Sequence, residues 1–184
     1  GDVGFIDTQG RLHLSGRAKD LIIRGGHNID PKVIEDALGA HPAVALCAAV
    51  GAPDAYAGEL PVAFATLKPS SQVTEAELLA FTAEGVDEGP AKPKSVTVLS
   101  AMPVTNVGKI YKPELRTLAT AAVVQKLIHN AMSPLPLEPA QWPQVLATGD
   151  AMVAVDARAT PAAAWNTLKP LLDALPVKLV LHAP

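Results

Sequence analysis

PVTNVGKI, at residues 103–110, is the stretch from which the fold can be worked out, because it places Lys109 in a loop of small residues between two apolar segments. A Gly-Lys pair is typical of a phosphate-binding P-loop, but that motif also needs an earlier glycine and a Ser or Thr after the lysine. Pro103 and Ile110 occupy those two positions. The P-loop is therefore excluded. Lys109 is either a solvated loop lysine or a mobile charge that reaches an anion held elsewhere.

The segments on either side of this loop have clear patterns. Residues 95–99, SVTVL, predict a strand that leads directly into the loop. The chain from Pro113 to about Met132 predicts a long helix with its apolar residues at helical spacing. These inward residues are Leu115, Leu118, Val123, Leu127 and Ile128.

Towards the N-terminus, short strands are predicted on both sides of glycine turns. Residues 5–7 and 11–14 alternate around Thr8-Gln9-Gly10, which is typical of a hairpin. Residues 21–24 predict a strand that ends at Gly25-Gly26, a pair able to take positive φ and to let a ligand approach the backbone. Asp30 before Pro31 then predicts a helix start, and His41-Pro42 predicts its end.

The middle of the chain predicts two strands and a capped helix. The apolar segments 44–50 and 60–67 are separated by a turn-rich stretch, so we expect two strands of one sheet. Thr74 and Glu77 have the spacing of a capping box. The helix they open is expected to direct Leu78, Leu79 and Phe81 inward and to end near Gly85.

Beyond residue 132 the composition changes. Prolines 134, 136, 139 and 143 forbid regular structure and predict either a linker or a segment that lies along the surface of the protein. Residues 151–155 and 177–181 predict strands that flank an alanine-rich helix over about 160–175, as in a βαβ or ferredoxin-like unit. The fold class is therefore α+β: a small, mostly antiparallel sheet flanked by helices, followed by a C-terminal α/β extension.

Composition excludes several function classes. The 184 residues are 49% hydrophobic and carry a net charge of −3, with no basic cluster for nucleic acid. No apolar run has the roughly 20 residues of a membrane span, and no signal segment opens the sequence, so we expect a cytoplasmic protein. The single cysteine, Cys47, lies in an apolar run and is expected to be a small buried residue. The opening Gly1-Asp2 without a methionine suggests a fragment of a longer protein.

The charged and metal-binding residue types give few local signals. Arg17, Lys19 and Lys109 all lie in glycine-containing loops, where they either converge on one phosphate or carboxylate or stay independent solvated charges. Sequence spacing does not decide between these two interpretations. Metal-ligand spacing is absent from the histidines, at positions 13, 27, 41, 129 and 182, so no metal site is predicted.

Three motifs together resemble a known family. GDVG at 1–4, GRAKDLIIRGGHNIDPKVIEDAL at 16–38 and PVTNVGKIYKPELR at 103–116 are similar to the C-terminal part of adenylate-forming enzymes, the acyl-CoA synthetase and luciferase superfamily. The resemblance implies that residues 1–18 are a hairpin at the end of a large N-terminal domain and that 19–119 are the mobile C-terminal domain. Residues 120–184 are an extension with no assigned role.

The resemblance also implies roles in forming an acyl-adenylate. Asp2 is expected to bind the ribose of ATP and AMP, and Arg17 to contact ribose and phosphate. Lys19 is expected to be the hinge about which the domain rotates between half-reactions. Lys109 is expected to be the catalytic lysine, because attack of a carboxylate on the α-phosphate brings negative oxygens together.

After rotation, the Arg24-Gly25-Gly26 loop is expected to line the tunnel for the pantetheine arm of CoA. The implied parent is an ATP-dependent acyl-CoA synthetase that forms acyl-AMP and then acyl-CoA. Its N-terminal domain would hold most of the ATP, with Mg²⁺, so this chain alone is expected to be inactive. The alternatives are an adenylation domain that loads a carrier-protein thiol and a non-catalytic interaction module. Glu35 is expected to be structural.

Overall fold

The computed structural model describes residues 1–148 and 152–184, and they form a mixed α+β fold, which confirms the predicted class. The strands are β1 (Asp2–Ile6), β2 (Leu12–Arg17), β3 (Ile22–Arg24), β4 (His27–Ile29), β5 (Val44–Asp54), β6 (Gly58–Leu67), β7 (Val96–Val98), β8 (Gln144–Thr148), β9 (Met152–Asp156) and β10 (Leu179–His182). The helices are α1 (Pro31–Gly39), α2 (Glu75–Gly85), α3 (Lys112–Met132) and α4 (Ala162–Asp173).

The chain divides into two compact units. The first unit comprises Gly1–Gly51 and Glu59–Lys112, and the second comprises Ala52–Gly58 and Pro113–Pro184. Each unit has its own cluster of buried apolar side chains. The predicted domain boundaries, near residues 18 and 119, stay predictions.

The first unit begins with the predicted hairpin. Strands β1 and β2 pair in antiparallel fashion, and Gly10, at the turn, has a φ of +78°. The Asp7 carboxylate accepts hydrogen bonds from the side chains of His13 and Arg11 and from two backbone N–H groups of the turn. These donors, with His13 contributing most, lower the pKa of Asp7 to about 2. The turn is therefore fixed by a charged acceptor.

A five-stranded sheet forms the centre of the first unit. Its order is β4-β3-β6-β5, and β7 pairs with β6 in parallel. Helices α1 and α2 contact each other, and Ile22, Ile34 and Leu78 are fully buried. The predicted strands β3, β5, β6 and β7 are present. Strand β4 was not predicted, because only one of its three residues is buried.

Both helices of the first unit start where the sequence predicts. Asp30 accepts the backbone N–H of Lys32 at 2.9 Å, with Pro31 in the first turn. Thr74 and Glu77 form a complete capping box. The prediction that Phe81 points inward from α2 is wrong, because its side chain is 38% exposed. The Phe81 ring packs edge-on against the His41 ring, with centroids 4.8 Å apart.

The second unit contains a three-stranded sheet in the order β10-β9-β8. Strands β9 and β10 are parallel and joined through α4, whereas β8 and β9 are antiparallel. Side chains of α3, α4 and β9 form its apolar core. The Leu118 side chain, predicted to point inward from α3, is 37% exposed. Ala151, predicted as the first residue of a strand, lies outside the described residues.

No helix within residues 1–148 or 152–184 has the length and apolar character needed to cross a membrane.

Candidate functional site

Lys109 follows a tight turn in the first unit. The Gly108 N–H donates to the Thr105 carbonyl oxygen at 2.8 Å, and Gly108 has a φ of +77°, which glycine adopts without strain. The Thr105 N–H donates to the Lys109 carbonyl oxygen at 2.7 Å, and the Thr105 hydroxyl accepts the Lys109 N–H at 3.2 Å. The backbone that carries Lys109 is thus held from both sides.

The segments on either side of this turn also pair with each other. Val104 and Ile110 form an antiparallel bridge, and the Tyr111 N–H donates to the Pro103 carbonyl oxygen at 2.8 Å. The Lys109 side chain is exposed, and within the described part of the chain its ammonium makes no salt bridge. A fixed loop therefore presents a positive charge to solvent.

Arg17 and Lys19 lie at a sharp change of direction. Arg17 is the last residue of β2, and Lys19 is the middle residue of the 3-10 turn Ala18–Asp20 that follows. The Ala18 N–H donates to the Gly1 carbonyl oxygen at 3.1 Å, so the turn is tied to the start of β1. Both side chains are exposed.

Arg17 lines a cleft of about 250 Å³ in the first unit. Its charged lining residues are Arg17, Lys32, Lys112, Asp20, Asp30 and Glu35. The basic and acidic side chains balance in number, so the cleft does not select strongly for an anion. Neither Lys109 nor the Gly25-Gly26 turn is among the described residues that line this cleft.

Gly25 and Gly26 form the two-residue connection between the antiparallel strands β3 and β4. Their φ angles are +55° and +86°, the conformation of a type I′ hairpin turn. A Cβ atom built on either glycine meets nothing within 4 Å. Within this chain, the glycines are required by the backbone conformation and not by lack of space.

The residues before this turn form hydrogen bonds with other parts of the first unit. The Arg24 guanidinium donates from Nη1 to the Pro90 carbonyl oxygen at 2.6 Å. The Ile23 N–H donates to the Glu59 carboxylate, at Oε2, at 2.8 Å. Sequence reasoning missed Glu59, because no spacing in the sequence relates it to the turn.

Glu35 joins three elements, in agreement with a structural role. Its Oε1 atom accepts the Ala49 N–H at 2.9 Å and lies 2.8 Å from the Lys112 ammonium. Both side chains of this ion pair are mostly shielded from water. Sequence reasoning did not single out Lys112, although it lies three residues after Lys109.

Asp2 is a predicted nucleotide-binding residue, and Cys47 is a residue predicted to be buried. The side chain of Asp2 lies outside the described residues. Cys47 is half-buried, and its thiol contacts the Glu35 carbonyl oxygen at 3.3 Å. Burial raises the pKa of the Cys47 thiol to about 11, so it is not a ready nucleophile.

The described residues contain no group of three or more His, Cys, Asp or Glu side chains arranged to hold a metal ion.

Residues 33–109, which include most of α1, strands β5 to β7, helix α2 and the Lys109 turn, match the family described as the AMP-binding enzyme C-terminal domain. The chain contains an AMP-binding enzyme C-terminal domain. Strands β3 and β4 and the Gly25-Gly26 turn precede the matched range and belong to the same sheet as β5 and β6.

Individual relatives agree with this family. Marinolic acid–CoA ligase from Pseudoalteromonas sp. is 46% identical over 128 residues, which are 70% of this chain and 20% of that protein. The ATP-bound crystal structure of MatB from Rhodopseudomonas palustris has 36% identity and a TM-score of 0.59, over 64% of this chain and 23% of that one. The amide bond synthetase McbA from Marinactinospora thermotolerans has 33% identity and a TM-score of 0.57, over 64% of this chain and 24% of that one. The chain thus spans about a fifth of the length of the curated relative.

Proposed function

We propose that the chain works within a longer polypeptide as the mobile C-terminal domain of an ATP-dependent carboxylic acid–CoA ligase. The observation that carries the proposal is the exposed Lys109 ammonium on a backbone-fixed turn at the end of the matched domain. The similarity to marinolic acid–CoA ligase and to ATP-bound MatB supports ATP, CoA and a carboxylic acid as the substrates.

In the first half-reaction a carboxylate oxygen attacks the α-phosphorus of ATP. A C(O)O–P bond forms, the bond to the β-phosphate oxygen breaks, and pyrophosphate leaves with that electron pair. Negative oxygens approach one another in this step, and the Lys109 ammonium stabilises them where the charge develops. Asp2 and Arg17 hold the nucleotide, together with the larger domain of the parent protein.

In the second half-reaction the thiol of CoA attacks the acyl carbonyl carbon. The C–S bond forms, the C–O bond to AMP breaks, AMP leaves, and the thiol proton passes to solvent. Rotation about Lys19 withdraws Lys109 and brings the Arg24-Gly25-Gly26 loop to the path of the pantetheine arm. The absence of side chains at the two glycines keeps this path open.

The proposal makes this chain dependent on its own N-terminal domain. That domain supplies the acyl pocket and most of the ATP site, where Mg²⁺ accompanies the phosphates. The 184 residues by themselves are then inactive. If the full-length protein forms no acyl-adenylate, the alternative interpretation, a non-catalytic interaction module, is favoured instead.

The experiment uses the full-length protein with ATP and a panel of acetate, octanoate, palmitate and benzoate. Hydroxylamine converts acyl-AMP into a hydroxamate that is measured by mass spectrometry. We expect hydroxamate and pyrophosphate with at least one acid, and an acyl thioester when CoA replaces hydroxylamine.

Amide formation is a second candidate, favoured by the similarity to the amide bond synthetase McbA. Parallel reactions with CoA, with a phosphopantetheinylated carrier protein and with a primary amine separate the acceptors. Product formation with CoA, and with neither of the other two acceptors, supports the ligase. Turnover only with the carrier protein or only with the amine contradicts it.

A further inference from the structure

Glu59, near the start of β6, contacts the strand that leads into the Gly25-Gly26 turn. Its Oε2 atom accepts the N–H of Ile23 at 2.8 Å, and the side chain is half-buried. Ile23 lies two residues before Gly25. A carboxylate from a neighbouring strand therefore fixes the base of the turn.

Gly51, on β5, provides the room that this carboxylate occupies. A Cβ atom at position 51 would lie 2.5 Å from the Glu59 Cδ atom and 2.6 Å from Oε2, closer than real Cβ contacts. The φ angle of Gly51 is not in the left-handed region, so glycine is needed there for space alone. Any side chain at this position would displace the Glu59 carboxylate.

Arg24 fixes the next residue of the same strand. Its guanidinium donates to the Pro90 carbonyl oxygen at 2.6 Å, in the 3-10 turn Gly89–Ala91. The turn itself has open space around it, since a Cβ on Gly25 or Gly26 meets nothing within 4 Å. The position of the turn is therefore set at its base, by Glu59 and Arg24.

We propose that Glu59 is a positioning residue for the thiol-transfer step and acts through the Gly25-Gly26 turn. The inference rests on the proposed function, in which this turn borders the path of the pantetheine arm. A displacement of about 1 Å in a positioning element can cost on the order of a hundredfold in rate. Loss of the Glu59 contact leaves the Ile23 N–H without this acceptor and lets the turn move.

The test measures the two half-reactions separately in the full-length protein. Adenylation is followed as hydroxamate, and thiol transfer is followed as acyl-CoA formed from supplied acyl-AMP and CoA. We expect Glu59→Ala to lower kcat/KM for CoA about tenfold or more and to leave adenylation unchanged. Glu59→Gln is expected to keep most of the activity, because its amide oxygen can accept the Ile23 N–H.

Glu75→Ala is the matched control. The Glu75 carboxylate accepts the N–H of Val98, in β7, at 2.8 Å, so this variant loses the same kind of bond on another strand. It is expected to leave the CoA-dependent step unchanged. An equal loss of CoA-dependent activity in Glu75→Ala and Glu59→Ala would overturn the inference, because both would then act through general stability.

A double-mutant cycle with Gly51→Ala gives a second readout. Gly51→Ala is expected to lower the CoA-dependent step in the native background and to add no further loss to Glu59→Ala. Additive losses would contradict the inference. If the native protein forms no acyl-CoA, the proposed function is wrong. If the native protein forms acyl-CoA and Glu59→Ala forms it at the same rate, only the proposed role of Glu59 is wrong.

Discussion

At the residue scale, the glycines of the chain serve different physical purposes. Gly25, Gly26 and Gly108 have positive φ angles in turns, whereas Gly51 makes room for the Glu59 carboxylate. The sequence motifs predict that a strand ends at Gly25-Gly26 and that this pair can take positive φ, but not the hairpin turn itself, because β4 was not predicted. They do not predict the role of Gly51, which depends on a contact between two strands.

Gly26→Ala is expected to lower the free energy of unfolding by about 1–2 kcal/mol, because alanine is strained at a left-handed φ. No steric clash adds to this cost, since a Cβ meets nothing within 4 Å. Gly89→Ala is the control, because its surroundings are equally open and its φ is not left-handed. Equal stabilities of the two variants in chemical unfolding would contradict this explanation.

Cys47 is expected to react slowly with iodoacetamide. Its pKa of about 11 keeps the thiol protonated, so labelling at pH 8 should be about a hundredfold slower than for an unperturbed cysteine. The rate should rise as the pH approaches 11. Labelling in guanidinium chloride, where burial is lost, should proceed at the ordinary rate; a fast rate in the folded protein would show that the thiol is not shielded.

At the element scale, helix starts are the most predictable features. Asp30-Pro31 and the Thr74–Glu77 box act within a few residues of their own helices, so local sequence determines them. Strands β4 and β8 are less predictable. Strand β4 has mainly exposed residues, and β8 begins directly after the last proline of the predicted linker, at Pro143. These two segments form strands because they pair with a neighbouring strand, and not because of their local sequence pattern.

The turn between β1 and β2 is expected to weaken in acid. The pKa of Asp7, about 2, lies below its value in an unfolded chain, so its stabilising effect is present above about pH 4 and is lost as the pH falls towards 2. Asp7→Asn should remove most of this pH dependence. An NMR titration that finds the Asp7 carboxyl at an unperturbed pKa would contradict the turn geometry.

At the scale of the whole molecule, the sequence predicts the family, whereas the site residues stay predictions and their grouping in space is left open. Arg17, Lys109 and the Gly25-Gly26 turn belong to the first unit, yet neither Lys109 nor the turn is among the described residues that line the Arg17 cleft. Sequence spacing leaves such convergence open, because it depends on how distant strands pack. Under the proposed function, Arg17 and Lys109 serve adenylation and the Gly25-Gly26 turn serves thiol transfer, which agrees with alternation about Lys19.

Lys19→Pro is expected to impair one half-reaction and to spare the other. Proline at position 19 disfavours the helical conformation of Ala18, the first residue of the 3-10 turn. The turn should then be restricted to one of its two arrangements. Hydroxamate and acyl-CoA assays on the full-length variant measure the two steps, and an equal loss in both would argue against a hinge at this residue.

The central claim, that Lys109 stabilises charge during adenylation, is tested most directly by Lys109→Ala in the full-length protein. We expect acyl-hydroxamate formation to fall by about a hundredfold or more, while acyl-CoA formation from supplied acyl-AMP stays close to the native rate. Lys94→Ala, which removes an exposed lysine elsewhere in the first unit, should leave both steps unchanged. Native rates of hydroxamate formation in Lys109→Ala would contradict the claim.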